Sequence, residues 1–334
     1  METPQRPARR ILGVGEAMLE FASVGDGLYR RGFAGDTLNT CWHMAQLLGA
    51  VARVGYCTRV GTDAFSGELV EFIASAGLET AHVARDPDRT VGLYVISLNG
   101  AERSFSYWRE TSAARRLADD RDTLRAAFND CALIHVSGIT LAVIGEKGRR
   151  NLHEALIQAR KRGVLVSFDP NVRLRLWPDQ AMLRDAALTM FAVTDIALPS
   201  FDDEALVWGD PDPDATLKRI AAAGVAEIVV KNGAGEVAWL ANGVASRSPT
   251  PMATAVRDTT GAGDAFNAGY LAARFVGAAP GEAVSFAQGV AGEVIGHFGA
   301  LTPATALVGL RAQIESRAAG RRGAIASALH THRS

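Results

Sequence analysis

Residues 258–266 read Asp-Thr-Thr-Gly-Ala-Gly-Asp-Ala-Phe, a glycine-rich turn followed at once by the carboxylate of Asp264. The small residues that come next, 267–272, predict a helix that can pack closely against a sheet. Free N–H groups in the turn and the positive end of that helix favour the binding of an anion. A carboxylate repels a bound phosphate, but it is useful as a base if a hydroxyl attacks the phosphorus. From this stretch alone, Asp264 is either that base or the N-cap of a buried helix.

The composition is that of a globular protein with a large core, since 48% of the 334 residues are hydrophobic and 21% are charged. A net charge of −1 gives no electrostatic basis for binding nucleic acid or an anionic membrane. The cysteines, Cys41, Cys57 and Cys131, are unclustered, which argues against a disulfide framework or a zinc site. The first ten residues are polar and basic, and no window has the length of a membrane span. We therefore expect a cytoplasmic protein with neither a nucleic-acid nor a membrane partner.

Short apolar runs alternate with helix-period segments along most of the chain. The strand-like runs are Ile11–Val14, Val51–Tyr56, Leu133–Ser137, Val164–Phe168, Ile196–Leu198 and Glu227–Val230. The helical segments are Leu38–Leu48, Gly67–Ala76, Glu146–Arg162, Ala181–Ala192 and Leu217–Ala223. This alternation predicts an α/β fold, with a mainly parallel central sheet and helices on both of its faces.

One interval departs from the alternation. Two strand-like runs, Val91–Leu98 and Ser104–Trp108, flank Asn99-Gly100-Ala101-Glu102, and Asn-Gly is a strong hairpin signal. Together with residues 20–34, the segment 90–110 predicts a small β-rich unit, which is either a lid over an active site or a dimer interface. Residues 304–334, rich in Ala and Arg, predict a C-terminal helix that ends in a disordered tail.

Two strand exits carry polar side chains suited to a small ligand. Asp36, Thr37 and Asn39 stand at the start of an apolar helix. Either Asp36 or Thr37 simply caps this helix, or Asp36 and Asn39 hydrogen-bond the hydroxyls of a polyol. Tyr107 and Arg109 share one face of their strand, with Tyr94 in the partner strand. This second set is either a solvated sheet surface or a grip for a carboxylate.

Further strand exits carry charge. Arg173 follows Asp169-Pro-Asn171 after an apolar strand, and it is either a surface arginine or a cation that opposes Arg109 or reaches a phosphate. Lys231 precedes the turn 232–235, whose glycines let a backbone approach a phosphate. The acidic residues 202–204 either favour a helix N-terminus or organise magnesium.

Two common nucleotide-binding motifs are missing from the sequence. No Walker A sequence is present, so a P-loop is excluded. Gly13-Val-Gly15 lacks the third glycine of a dinucleotide fingerprint and is better explained as a tight strand exit. A nicotinamide-dependent oxidoreductase is therefore the weakest of the enzyme hypotheses.

Taken together, the strand-exit motifs resemble those of the ribokinase-like (PfkB) carbohydrate kinases. Residues 258–266 look like the family's C-terminal signature in full, and residues 34–39 are similar to its N-terminal glycine-pair motif, with Ala34 where glycine is usual. The resemblance implies a ribokinase-like kinase domain over residues 11–303, with residues 20–34 and 90–110 as its lid. Within the family, the strings most resemble those of 2-keto-3-deoxygluconate kinases; they are residues 32–40, 92–94, 107–109, 137–139, 169–177 and 202–204.

This resemblance implies that ATP phosphorylates an acid sugar, with Mg²⁺ and with a monovalent cation as a further candidate. The arginines support an acid sugar, because a neutral sugar does not need two of them. Asp264 is the implied base, and the amides of Gly261, Ala262 and Gly263 hold the phosphoryl charge. The implied substrate contacts are Gly35, Asp36, Asn39, Tyr94, Tyr107, Arg109 and Arg173. The implied nucleotide contacts are Asn171, Ser200, Lys231, Gly233, Gly235, Gly261 and Gly263. Asp203 is the candidate magnesium residue, acting through water, and the lid is the expected site of a homodimer.

The chain departs from the family pattern at two places. Ser200 replaces the Asn of an Asn-x-x-Glu motif, with Asp203 where the acid is expected, and Gly299-Ala300 lacks an acid that touches the sugar in some relatives. The rivals are therefore another sugar kinase on the same scaffold, such as a fructokinase or a 2-keto-3-deoxygalactonate kinase, and a non-catalytic sugar or nucleotide sensor.

Overall fold

The computed structural model describes residues 10–99, 102–253 and 255–331, and leaves undescribed the side chains of 98–99, 102–103 and 322–331. Its helices are α1 (Asp36–Leu48), α2 (Ala64–Ser75), α3 (Arg121–Ala127), α4 (Gly138–Lys161), α5 (Gln180–Phe191), α6 (Phe201–Trp208), α7 (Pro213–Ala222), α8 (Ala262–Phe275), α9 (Pro280–Val294) and α10 (Val308–Thr331). None of these helices combines the length and the apolar character that crossing a bilayer requires.

The larger sheet follows the predicted alternation. Its strands, in spatial order, are β13 (Val244–Ser248), β12 (Val237–Ala241), β11 (Glu227–Val230), β10 (Ile196–Ala197), β9 (Leu165–Asp169), β8 (Cys131–Ser137), β1 (Arg10–Val14), β4 (Arg53–Val60) and β5 (Val83–Arg85). Pairing is parallel from β11 to β5, whereas β12 and β13 add antiparallel strands at one edge. The mainly parallel sheet is confirmed, and the antiparallel edge is an addition that the strand-like runs did not reveal.

Helices cover both faces of this sheet. Ile11 packs into a core with side chains of α1, α8 and α9, while its neighbour Leu12 packs on the opposite face with those of α4 and α5. Successive residues of a strand point to opposite faces, so a strand that is apolar throughout must be buried on both. The predicted arrangement of helices on both faces is therefore confirmed.

The smaller sheet is the predicted β-rich unit. Its strands, in spatial order, are β3 (Leu28–Ala34), β2 (Met18–Gly25), β6 (Gly92–Asn99) and β7 (Glu102–Trp108). The strands β6 and β7 pair antiparallel as a hairpin, and Gly100 and Ala101 of the predicted turn lie outside the described residues. We call this sheet the lid.

Short 3₁₀ turns occur between these elements, at Gly49–Val51, Ala113–Arg116, Leu174–Leu176 and Ala304–Leu307. The C-terminal segment is helical through α10, and residues 332–334 of the predicted tail lie outside the described residues. The boundaries 11–303 for the kinase domain stay a prediction.

Candidate active site

The carboxyl ends of the parallel strands bring the predicted site residues together. Ser137 and Asp169 end neighbouring strands in register, and Ser200 bridges Lys231 two strands further along. In open α/β sheets this edge is where ligands bind. A cavity of about 810 Å³ opens here, beneath the lid.

The cavity collects most of the residues that the sequence singled out. The predicted residues that line it are Gly35, Asp36, Asn39, Tyr94, Tyr107, Arg109, Asn171, Arg173, Ser200, Asp203, Lys231, Gly261, Ala262, Gly263 and Asp264. A groove of about 730 Å³ continues from it and is lined by Ser200, Lys231, Gly233, Ala262, Gly263 and Phe266, among others. Both volumes are typical of small-molecule sites.

Asp264 stands in the first turn of α8 and lines the cavity, directly after Ala262 and Gly263, which line both the cavity and the groove. Its Oδ2 accepts a hydrogen bond of 2.8 Å from Asn39 Nδ2, which fixes the carboxylate. Burial raises the pKa of the Asp264 carboxyl, and the nearby charge of Asp36 raises it further, while the Asn39 hydrogen bond opposes both effects. A carboxylate with raised pKa has a greater affinity for a proton, as a general base requires.

The turn before Asp264 has a conformation that only glycine adopts readily. Gly261 has φ of 76°, and a Cβ at this position would lie 2.9 Å from the Ala300 Cα, Cβ and carbonyl oxygen. The Ala262 N–H donates to the Thr259 carbonyl at 3.2 Å, whereas the amides of Gly261 and Gly263 have no acceptor among the described residues. These two amides, at the positive end of α8, are the donors left for an anion.

Asp258 fixes the other end of the motif. Its Oδ1 accepts from the Thr260 amide at 3.0 Å and its Oδ2 from the Gly299 amide at 2.8 Å. Gly299-Ala300, where some relatives have a sugar-binding acid, thus acts here as a backbone wall: Gly299 anchors the motif and Ala300 lines the cavity.

Asp36 and Asn171 meet at the floor of the cavity. Asp36 Oδ2 accepts a hydrogen bond of 2.8 Å from Asn171 Nδ2 and a second one from the Ser137 hydroxyl. Gly35 directly precedes Asp36. A Cβ at position 35 would lie 2.3 Å from the Glu16 carbonyl oxygen, so no larger residue fits there. Asn171 thus hydrogen-bonds to Asp36 in the structure, and its implied contact with the nucleotide stays a prediction.

Lys231 is not a free cation. Its Nζ donates to Asp169 Oδ2 at 2.7 Å and to Asn267 Oδ1 at 3.0 Å, and Asn267 Nδ2 donates to the same Asp169 oxygen at 2.6 Å. Lys231 nevertheless lines both the groove and the cavity. Gly235 closes the following turn through its amide, which donates to the Asn232 carbonyl at 2.7 Å, and it is not one of the residues that line the groove.

The lid contributes aromatic rings and a buried ion pair. Tyr94 stacks on Tyr107 with ring centroids 5.6 Å apart, and the Tyr94 hydroxyl donates to the Glu20 carboxylate. Burial, followed by the nearby Glu20 carboxylate, raises the pKa of Tyr94, so its hydroxyl stays protonated. Arg109 is paired with Glu16, to which its Nε donates at 2.8 Å.

Three features of the site were not assigned from the sequence. Glu16 neutralises Arg109. Asp169 neutralises Lys231, and Asn267 hydrogen-bonds to both of them. Arg175 reaches over the Tyr107 ring. An acid directly after the Gly13-Val-Gly15 strand exit was the available signal for Glu16. Asp203, the candidate magnesium residue, accepts from the Val172 amide at 3.0 Å, and burial raises its pKa while Arg173 lowers it.

Comparison with known proteins identifies the family. Residues 12–307 match the model of the pfkB family carbohydrate kinases. A 2-dehydro-3-deoxygluconokinase of Dickeya dadantii (strain 3937) is 37% identical over 306 residues, covering 90% of this chain and 98% of the relative. A 2-dehydro-3-deoxygluconokinase of Escherichia coli (strain K12) is 34% identical over 308 residues, covering 90% and 99%.

The solved structures confirm the ribokinase-like fold. A putative ribokinase II from E. coli, in complex with ATP and Mg²⁺, aligns with a TM-score of 0.77 at 21% identity, covering 92% of this chain and 98% of that one. The matching model, the relatives and the fold agree along nearly the whole chain. The chain belongs to the pfkB family of carbohydrate kinases and is a sugar kinase.

Proposed function

We propose that the protein transfers the γ-phosphoryl group of ATP to the terminal hydroxyl of 2-keto-3-deoxy-D-gluconate, giving the 6-phosphate and ADP. The observation that carries the proposal is the place of Asp264, a carboxylate that is fixed by Asn39, lines the cavity and follows Gly263, which lines both the cavity and the groove. The names of the relatives that are 37% and 34% identical support the choice of sugar.

Asp264 is the proposed base. The sugar hydroxyl gives its proton to a carboxylate oxygen of Asp264 while its oxygen bonds to the γ-phosphorus and the bond to the β-phosphate oxygen breaks. The Asn39 hydrogen bond holds the carboxylate in place, so little reorganisation is needed at the moment of transfer. Asp36, supported by Asn171, is placed to bind a sugar hydroxyl beside it.

The start of α8 is the proposed anion hole. The amides of Gly261 and Gly263 have no acceptor among the described residues, both residues line the cavity, and the helix dipole adds to their effect. The Ala262 amide was also predicted to hold the phosphoryl charge. It donates to the Thr259 carbonyl, so we propose that the amides of the two glycines hold most of that charge. Preorganised donors of this kind stabilise the charge that develops on the transferring group.

The groove is the proposed nucleotide site. Ser200, Lys231 and Gly233 line its polar end, and Phe266 with Val237 lines its apolar part, which suits a base and a triphosphate. The described residues contain no cluster of three or more His, Cys, Asp or Glu that could hold a metal. That fits Mg²⁺, which is usually held by one or two carboxylates plus substrate phosphates, with Asp203 as the proposed protein contact through water. When bound, Mg²⁺ neutralises phosphate charge; a monovalent cation stays a further candidate.

The lid is the proposed cover and dimer contact. Closure over the cavity excludes water and limits hydrolysis of ATP. Val24 and Leu28 are more than half exposed on either side of the β2–β3 turn, where Leu28 pairs with Gly25, and they offer apolar side chains that a second copy can cover. Trp108 is more than half exposed at the end of β7. Light scattering of the purified protein tests the dimer.

An ADP-release assay over a panel of sugars tests the proposed reaction. We expect ADP to form with 2-keto-3-deoxy-D-gluconate and not without sugar, and kcat/KM to be lower for 2-keto-3-deoxygalactonate and D-fructose. A higher kcat/KM for fructose would show a neutral-sugar kinase. No release with any sugar, despite nucleotide binding, would favour a sensor.

A further inference from the structure

Helix α6 begins with the acidic run 202–204, and its three acids have different surroundings. Asp202 lines both the cavity and the groove, and Asp203 lines the cavity. Glu204 lines neither of them, and its side chain is 1% exposed, paired with Arg219 of α7. The first two acids are therefore placed to act on a ligand, whereas the carboxylate of Glu204 is used inside the protein.

Arg219 holds α6 at three points. Its Nη2 donates to Glu204 Oε2 at 2.6 Å in the first turn and to Asp210 Oδ2 at 2.6 Å just beyond the last turn. Its guanidinium carbon also lies 4.4 Å from the centroid of the Trp208 ring. Asp210 is fixed in turn by the Thr216 hydroxyl, which donates to it at 2.7 Å. We call Glu204, Arg219 and Asp210 the clamp, because together they tie both ends of α6 to one side chain of α7.

Few apolar side chains hold α6 in place. The helix has eight residues, and its buried side chains are those of Glu204 and Val207. The N-cap Ser200 makes no side-chain capping hydrogen bond among the described residues. One backbone contact, from the Phe201 amide to the Lys231 carbonyl at 2.8 Å, fixes a single point at the start of the helix. A second point is needed to fix its rotation, and the charge-assisted hydrogen bond to Glu204 supplies one.

The clamp contributes little to stability in proportion to the charge that it buries. The side chains of Glu204 and Asp210 are 1% and 9% exposed, so one guanidinium group faces two largely buried carboxylates. Glu204 Oε1 and Arg219 Nη1 are buried and have no hydrogen-bond partner among the described residues. Apolar residues of similar volume are often as stabilising as a buried ion pair. What they do not supply is the directional contact that holds a helix in one rotation.

We propose that Glu204 and Arg219 are positioning residues for phosphoryl transfer, which hold the first turn of α6 so that Asp203 is directed at the phosphates and Mg²⁺ of the nucleotide. The inference rests on the proposed nucleotide site and on Asp203 as its magnesium contact through water. Neither Glu204 nor Arg219 touches a ligand; both act through Asp203. The inference gives a role to the acid of the run 202–204 that lines neither the cavity nor the groove.

The test is the calorimetric Kd for ATP without sugar, measured with Mg²⁺ and again with EDTA in its place. Glu204→Met/Arg219→Met removes one buried charge of each sign and keeps the side-chain volumes, so Tm should stay close to that of the wild type. We expect Kd with Mg²⁺ to rise by about 10–100-fold, the usual effect of removing a residue that orients a metal contact, and Kd in EDTA to change by less than about threefold.

Arg274→Met is the matched control for lost stability. Arg274 forms a partly buried ion pair with Glu227 at 2.7 Å, and neither residue lines the cavity or the groove. This variant should lower Tm and leave Kd for ATP with Mg²⁺ unchanged. Glu204→Gln keeps an oxygen that can accept from Arg219, so it should retain most of the wild-type affinity. Arg219→Lys keeps the charge but loses the planar fork, so it should not.

Asp203→Asn shows whether the clamp acts through Asp203. If it does, adding Glu204→Met/Arg219→Met to Asp203→Asn should raise Kd with Mg²⁺ by less than about twofold, because residues that act as a unit are not additive. Losses that multiply, an unchanged Kd in Glu204→Met/Arg219→Met, or a Kd that rises equally in EDTA would each overturn the inference. The proposed function stands in all three cases if the wild type phosphorylates the acid sugar, whereas a wild type that binds no ATP would overturn both.

Discussion

Replacing Lys231 with Met removes the cation that neutralises Asp169. The two side chains are 9% and 5% exposed, and their charged atoms are 2.7 Å apart. Deleting one partner of a buried ion pair costs about 3–5 kcal/mol, because the other charge is left buried and unpaired. Asn267 still donates to Asp169 in the variant, so we expect the lower limit, about 3 kcal/mol. At about 2 °C per kcal/mol for a chain of this size, Tm falls by about 6 °C.

Urea and thermal unfolding without nucleotide measure this loss, and ATP kinetics are measured in parallel. Lys218→Met is the matched control, since Lys218 is exposed on α7 and its loss should change stability by less than about 0.5 kcal/mol. The double variant Lys231→Met/Asp169→Asn should recover about 2 kcal/mol, because it removes the stranded charge. If Lys231→Met is as stable as the wild type and only raises KM for ATP, Lys231 is a phosphate ligand and the counter-ion account is wrong.

Three substitutions test the environment of Asp264. Asp36→Asn removes a charge that raises the Asp264 pKa, so the acid limb of the kcat/KM profile should move to lower pH. Asn39→Ala removes a hydrogen bond that lowers this pKa, so the limb should move to higher pH; shifts in the same direction would contradict the assignment. Gly261→Ala introduces a Cβ 2.9 Å from Ala300 at φ of 76°, and should cost about 1–3 kcal/mol of stability and lower kcat more than tenfold. Urea unfolding and turnover check this, and wild-type values for both would refute it.

The sequence was enough to predict the architecture and the edge of the sheet at which the candidate site residues meet. Apolar runs such as Leu133–Ser137, separated by helical segments, predict parallel strands, and polar residues at the strand exits must meet at one edge. Asp264 and its glycine turn could be proposed as functional residues from the sequence, because a carboxylate beside an anion site has few structural uses. The Asn-Gly turn likewise predicted the hairpin of the lid.

The charge partners could not be read from the sequence. Glu16 and Arg109 are 93 positions apart, and Asp169 and Lys231 are 62 apart, so only the tertiary fold decides which acid meets which base. The sequence supplied arginines that suit an acid sugar, but not which of them has its charge already balanced. The start of α4 also differs from the predicted one. The helical period in the sequence begins at Glu146, whereas α4 begins at Gly138 and bends at Gly145, where φ is 66°.

The turnover of Asp264→Asn tests the central claim most directly. Asparagine keeps the shape of the side chain and can still accept the Asn39 hydrogen bond, but it cannot take the proton of the sugar hydroxyl. We expect kcat with 2-keto-3-deoxy-D-gluconate and ATP to fall by about 10²–10⁴-fold. Calorimetric Kd values for the sugar should stay within about threefold of the wild type. A kcat close to that of the wild type, with the sugar bound equally well, would contradict the assignment of Asp264 as the base.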